Sequence, residues 1–85
     1  MNILVIDNDP VALEQFSTRL REQSPGDQVI SFTDPLLAVK HGYNYPVDVV
    51  YGKTIMRGLN LDDVERLLRN IHPNVQVKSI EDVSM

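Results

Sequence analysis

The stretch ILVIDNDP, residues Ile3 to Pro10, decides the fold because it joins a buried strand directly to the start of a helix. Its aliphatic run, Ile3 to Ile6, is mainly β-branched and too short for a helix, which predicts a strand buried on both faces. Asp9 followed by Pro10 is a helix N-cap signal with proline at the first helical position. Three apolar residues then recur at helical spacing, namely Leu13, Phe16 and Leu20.

The same order of elements recurs along the rest of the chain. QVISF (28–32) predicts a second strand, and TDP (33–35) predicts a helix start before a short helix that HGYNYP (41–46) should end. VDVVY (47–51) predicts a third strand. A third helix is indicated by apolar residues at helical spacing, namely Val64, Leu67, Leu68 and Ile71. The alternating segment VQVKSI, Val75 to Ile80, predicts a fourth strand. Strands alternating with helices favour a parallel α/β sheet.

Composition limits the classes of protein to which the chain can belong. Its 85 residues predict one domain, residues 1–85, and the absence of cysteine excludes a disulfide framework and a cysteine-based metal site. A net charge of −4 argues against a nucleic-acid surface. No apolar run approaches the roughly 20 residues that span a bilayer, and the start lacks the basic region of a signal peptide. A cytoplasmic location is therefore expected.

The carboxyl ends of parallel strands are where ligands bind in open α/β sheets. The acidic segment Asp7, Asn8 and Asp9 follows the first strand, and YGKT (51–54) ends the third. These two segments should lie near each other if the strands are neighbours.

The chain resembles the receiver domains of bacterial two-component signalling over nearly its whole length. ILVIDNDP resembles the family's first strand with its acidic pair. Residues 46–77, PVDVVYGKTIMRGLNLDDVERLLRNIHPNVQV, resemble its third strand, active-site loop, third helix and fourth strand. Full receivers have five strands in the order 2-1-3-4-5. The resemblance therefore implies a flavodoxin-like parallel sheet, truncated to four strands and three helices in the order 2-1-3-4.

In receivers, a histidine kinase supplies a phosphoryl group to an aspartate at the end of the third strand, and acids after the first strand hold Mg²⁺. Carried over, the first acid is Asp7, the second is the neutral Asn8, and Asp9 fits better as a helix cap. The spacing to Met56 places Lys53 at the phosphoacceptor position, with Thr54 beside it. The Thr or Ser that ends the family's fourth strand falls near Glu81, and the expected neighbours of this pocket are Thr54, Met56 and Glu81.

These departures imply a degenerate receiver with no phosphoacceptor, no metal, no cofactor and no enzymatic activity. An ammonium cannot form an acyl phosphate, and it repels Mg²⁺. Two placements of Lys53 remain open: pairing with Asp7 in place of the metal, or pointing into solvent. A phosphate-accepting receiver remains a less favoured third class.

The elements absent from the chain, compared with a full receiver, predict a homodimer. The fourth strand should be an open edge, and the first helix should lose part of its cover. The interface candidates are Leu13, Phe16, Leu20, Val75, Val77 and Ile80. The expected function is a non-phosphorylatable interaction module of two-component signalling that binds itself, a histidine kinase or another regulator. The alternative is an N-terminal fragment or remnant of a response regulator whose effector, often DNA-binding, is absent. Partner, stimulus and output do not follow from the sequence.

Overall fold

The computed structural model describes residues 1–82, which form four strands and three helices in strict alternation. The elements are β1 (Asn2–Ile6), α1 (Pro10–Gln23), β2 (Gln28–Phe32), α2 (Pro35–Asn44), β3 (Val49–Gly52), α3 (Leu61–Arg69) and β4 (Gln76–Ser79). A 3₁₀ turn, Ile80–Asp82, follows β4. The predicted order of elements is confirmed.

The strands form one parallel sheet in the order β2-β1-β3-β4. β1 pairs with both β2 and β3, and its aliphatic run is buried because helices cover both faces of the sheet. Val5 and Ile6 have no exposed surface at all. The sheet is therefore the four-strand, 2-1-3-4 arrangement that the resemblance implied, with β1 at its centre.

Alternate residues of the strands point to two separate cores. One core lies between the sheet and the pair α2 and α3, and it is centred on Leu4, Ile6, Val50, Val64 and Leu68. The other lies between the sheet and α1, and it contains Ile3, Val5, Leu13, Phe16, Leu20, Val29 and Val49. The period of two along each strand explains this division, because successive side chains leave opposite faces.

The prediction that α1 loses part of its cover is wrong. Its apolar side chains are buried: Leu13 is 6% exposed, Phe16 8% and Leu20 6%. The Phe16 ring lies 5.3 Å from the Tyr51 ring of β3. Beyond Tyr51 on this face, β4 presents the exposed polar side chains Gln76 and Lys78. The three α1 residues are thus core, and this face carries no open apolar patch at β4.

Two helix boundaries differ from those expected from the sequence. α2 runs through Gly42 to Asn44 instead of ending at the glycine. A Cβ atom at Gly42 would lie less than 3.0 Å from Leu68 Cδ2, so the glycine permits close packing of α2 on α3. α3 ends at Arg69, which leaves Ile71 44% exposed rather than in the core. Leu61, at the start of α3, is buried in the α2 and α3 core.

Candidate functional site

The carboxyl ends of β1 and β3 lie side by side, as expected if the two strands were neighbours. Ile6 and Gly52, the last residues of these strands, are partners in the ladder. The next residues, Asp7 and Lys53, therefore begin adjacent loops, and the Lys53 amide donates to the Ile6 carbonyl oxygen at 3.4 Å. The fold thus places Lys53 at the end of the third strand and beside the first acid.

Asp7 is 3% exposed and serves the turn that leads into α1. Its Oδ1 atom accepts a hydrogen bond from the Asp9 amide at 2.9 Å, and its own amide donates to the Phe32 carbonyl oxygen at 3.1 Å. Among the ion pairs of residues 1–82, within 4.0 Å, Lys53 does not pair with Asp7. The pairing that the sequence left open is therefore not the arrangement in this structure.

Asn8 uses both ends of its side-chain amide to connect three loops. Its Nδ2 atom donates to the Thr33 carbonyl oxygen at 2.9 Å, and its Oδ1 atom accepts from the Arg57 amide at 2.6 Å. Thr33 precedes α2 and Arg57 precedes α3, so the loops after β1, β2 and β3 are joined by one side chain. An ionised aspartate could not do this because it has no N–H to donate.

Asp9 is the N-cap of α1, as predicted. Its Oδ1 atom accepts hydrogen bonds from the amides of Val11 at 3.0 Å and Ala12 at 3.5 Å, and Pro10 occupies the first helical position. The cap satisfies amides that have no partner inside the helix. This carboxylate is therefore committed to the helix start.

The acidic residues do not fit the Mg²⁺ ion that the receiver family uses. Mg²⁺ favours an octahedral set of oxygen ligands that includes carboxylates. Within the described part of the chain, no group of three or more Asp, Glu, His or Cys side chains gathers into a metal site. The Asn8 amide is held by Thr33 and Arg57, and Asp9 caps α1. With Lys53 adjacent, the donor set is poorer in negative charge than such an ion requires.

A cluster of side chains joins the loop after β3 to the end of β4. The Thr54 amide donates to Glu81 Oε1 at 3.2 Å, and the Thr54 hydroxyl donates to Glu81 Oε2 at 2.8 Å. Ser79 Oγ lies 3.1 Å from Thr54 Oγ1 and accepts from the Glu81 amide at 3.3 Å. Two of these residues, Thr54 and Glu81, were predicted as pocket neighbours.

The sequence alignment of Glu81 with the end of the fourth strand is wrong by two residues. β4 ends at Ser79, which pairs with Gly52, whereas Glu81 lies in the 3₁₀ turn that follows. A hydroxyl side chain therefore stands at the end of β4, where the resemblance implies Ser or Thr. The observation that corrects the alignment is the strand pairing. Val49–Gly52 of β3 pair with only four residues of β4, and the last of these is Ser79.

The Thr54 hydroxyl bond holds the pKa of the Glu81 carboxyl below its ordinary value. Partial desolvation opposes this shift, while the Thr54 amide, the Lys53 charge and the Ser79 hydroxyl add to it. Hydrogen-bond donors and positive charge close to a carboxyl group favour its ionised form.

Met56 and the hydrophobic residues of the β4 region face the protein interior. Met56 is 8% exposed and packs in the α2 and α3 core, so it is a packing residue rather than an open pocket neighbour. Val75 is 3% exposed, Val77 packs against the same core, and Ile80 packs against the α1 core. The side chains of Val75, Val77 and Ile80 therefore do not form an exposed apolar interface.

Solved structures of other proteins resemble this chain. A response regulator receiver domain protein from Clostridium thermocellum superimposes with a TM-score of 0.76 and 26% identity, covering 92% of this chain and 62% of that one. The chain has the receiver-domain fold. An uncharacterized protein from Neptuniibacter caesariensis has the same fold, with a TM-score of 0.75 and 20% identity, covering 87% of this chain and 53% of that one.

The receiver-domain likeness supports a response-regulator-like module. The chain covers 53% and 62% of the lengths of the two structures, which is less than two thirds of either. No protein-family model matches the sequence, and no curated protein matches it. None of the helices within residues 1–82 is both long and apolar enough to cross a membrane.

Proposed function

We propose that this chain is a receiver-like regulatory module that acts by binding and does not accept a phosphoryl group. The observation that carries the proposal is Lys53, which follows the last residue of β3 and stands beside Asp7 at the end of β1. An ammonium side chain offers no carboxylate to attack phosphorus. It also disfavours the Mg²⁺ that would neutralise the phosphoryl oxygens. We further propose that the module has no enzymatic activity.

The contacts of Asn8 support this proposal independently. A second acid at this position would help to hold Mg²⁺. Asn8 instead donates to the Thr33 carbonyl oxygen and accepts from the Arg57 amide. The residue is therefore part of the loop structure, and its neutral amide makes both bonds at once, whereas a carboxylate could only accept from Arg57. Two of the family's phosphotransfer positions, Asn8 and Lys53, thus carry groups suited to other roles.

The experiment is incubation with acetyl phosphate and Mg²⁺, followed by measurement of the intact mass. We expect no added phosphoryl group on the protein, while an active receiver domain treated in parallel gains one. The matched variant is Lys53→Asp, which restores only the carboxylate. A stable gain of one phosphoryl group by the unaltered protein would overturn the proposal, and mapping the modified residue would identify the alternative acceptor.

We propose a second copy of the chain as the partner, bound through the free edge of β4. The Gln76 amide donates to the Asp48 carbonyl oxygen at 3.0 Å, so the peptide groups of Gln76 point toward β3. In a parallel ladder the next residue points the other way, which turns the amide and carbonyl of Val77 outward. Within residues 1–82 no strand lies on that side of β4. An edge of this kind can pair with another chain.

The burial of α1 favours the β4 edge over the other predicted surface. Leu13, Phe16 and Leu20 are already packed against the sheet, so a partner would gain little apolar area there. Edge pairing of two copies about a two-fold axis would instead use backbone groups, and such an interface is closed and self-complementary. Only two residues of β4, Val77 and Ser79, turn their backbone amide and carbonyl groups away from β3, so the interface would be small.

The test of the partner is the solution mass by light scattering at micromolar concentration. We expect the mass of a dimer for the unaltered protein and of a monomer for Val77→Pro. That substitution removes an outward amide, and proline is tolerated on the open side of edge strands. Helical circular dichroism of the variant serves as the folding control. A monomeric mass for the unaltered protein would contradict the dimer while leaving the acetyl phosphate result untouched.

A further inference from the structure

The Glu81 carboxylate is held by donors from a different loop. Each of its oxygens has its own donor on Thr54, the amide at 3.2 Å and the hydroxyl at 2.8 Å. Thr54 and Glu81 are 27 residues apart in sequence, so the contact joins the loop after β3 to the turn after β4. This is a two-point attachment of an anionic group, not a single surface hydrogen bond.

Two further groups complete the surroundings of the carboxylate. The Ser79 hydroxyl lies 3.1 Å from the Thr54 hydroxyl, and Lys53, the residue before Thr54, brings a positive charge to the same loop. A backbone amide, hydroxyl groups and an ammonium are the donors that bind oxyanions, and bonds to a charged acceptor are stronger than neutral ones. The cluster lies at the carboxyl ends of β3 and β4, the edge where such sheets bind ligands.

We propose that Lys53 and Thr54 form an oxyanion-binding site, and that Glu81 occupies it as an internal ligand from the same chain. Thr54 and Glu81 are exposed and Lys53 is half-buried, so the site opens to solvent when the Glu81 side chain leaves. Because Glu81 belongs to the same chain as Thr54, its carboxylate is present at a high effective concentration and competes with any free anion. An outside oxyanion therefore binds only weakly while Glu81 is in place.

The ligand class is a small, free oxyanion that binds reversibly, with inorganic phosphate as the probe. Such binding differs from phosphoryl transfer because no covalent bond forms and dilution reverses it. The inference also stands apart from dimerisation, since it rests on the contacts of Glu81 and not on the β4 edge. Its failure would leave the acetyl phosphate and light-scattering results unchanged.

The experiment follows the ¹⁵N amide shifts of Lys53 and Thr54 during a phosphate titration at constant ionic strength, with chloride as the balancing anion. We expect saturable shifts in the Glu81→Ala variant, and an apparent affinity at least about tenfold weaker in the unaltered protein. Adding Thr54→Val to Glu81→Ala should abolish saturation because the hydroxyl donor is lost. Glu81→Met, which keeps a similar side-chain length but has no acceptor oxygen, replaces Glu81→Ala if that variant does not fold.

The matched control is Asp82→Ala. Asp82 is the exposed acid next to Glu81, and its removal changes the net charge equally while leaving the internal ligand in place. We expect it to respond to phosphate as the unaltered protein does. Equal shifts in the Glu81→Ala and Asp82→Ala variants would mean a general charge effect and would overturn the proposal. The absence of saturable shifts in the variant without Glu81 would overturn it as well.

Discussion

The substitution Gly42→Ala tests whether helix propensity or tertiary packing dominates at this position, because the two change the free energy of unfolding in opposite directions. Gly42 lies inside α2, where alanine is intrinsically favoured over glycine by about 1 kcal/mol. The new Cβ would, however, lie less than 3.0 Å from Leu68 Cδ2, although its 3.7 Å approach to Val47 Cγ2 is an ordinary contact. Leu68 has no exposed surface, so its methyl group cannot move into solvent.

The net effect follows from these two opposing contributions. Overpacking a core by one methyl group costs about 1–3 kcal/mol, and the helix gain returns about 1 kcal/mol. We therefore expect Gly42→Ala to lower the free energy of unfolding by about 1 kcal/mol. For a domain of this size, that corresponds to a fall of about 4–8 °C in Tm.

Urea unfolding and thermal melts, both followed by circular dichroism, measure the effect. Gly26→Ala is the matched control, since a Cβ at Gly26 meets nothing within 4 Å. Its stability should be equal to or slightly above that of the unaltered protein. In a double-mutant cycle with Leu68→Ala, the loss should be smaller than the sum of the single losses, because the cavity admits the new methyl group. A Gly42→Ala variant as stable as the unaltered protein would refute the packing argument.

Three further predictions test the loops at the site. Asn8→Asp should cost about 1–3 kcal/mol of stability because it sets a carboxylate oxygen against the Thr33 carbonyl. An unchanged urea midpoint would contradict this loss, and recovery of the midpoint by Mg²⁺ would contradict the argument against a metal site. Thr54→Val should raise the pKa of Glu81 in a ¹³C titration. Because folding lowers the pKa of Glu81, the contact with Thr54 stabilises the fold at any pH above the unfolded-state pKa of Glu81. This stabilisation is lost as the pH falls through the folded-state pKa, and an unchanged pKa in Thr54→Val would contradict the prediction. Asp9→Ala should cost about 1 kcal/mol by removing the α1 cap, with Asp9→Asn as the stable control.

The fold was predictable because local signals agreed with one another. The aliphatic run of β1, the cap and proline at Asp9 and Pro10, and the repeated alternation of elements predicted the parallel sheet correctly. The boundaries were less predictable where tertiary packing overrides local preference. Gly42 reads as a helix end in sequence, but it lies within α2 because α3 packs closely there.

The site was only partly predictable, because several of its contacts join segments distant in sequence. The position of Lys53 at the end of β3 followed from the strand and the spacing to Met56. The roles of Asn8 and Ser79 did not, since they depend on how three loops and a short edge strand meet. The error at α1 had another cause: it rested on elements absent from the chain, whereas the alternation of Gln76 and Lys78 already indicated a polar face at β4.

The two-sided hydrogen bonding of Asn8 also affects the order in which mutations could rebuild a metal-dependent site. Changing Asn8 to an acid first breaks its bond to Thr33, while Lys53 still repels the ion. Changing Lys53 to an acid first adds negative charge beside Asp7 without supplying a second ligand at Asn8. Each single step is expected to lose stability with no metal binding in return. A metal-dependent site of the receiver type would therefore require changes at both Asn8 and Lys53, and the benefit of either change depends on the other.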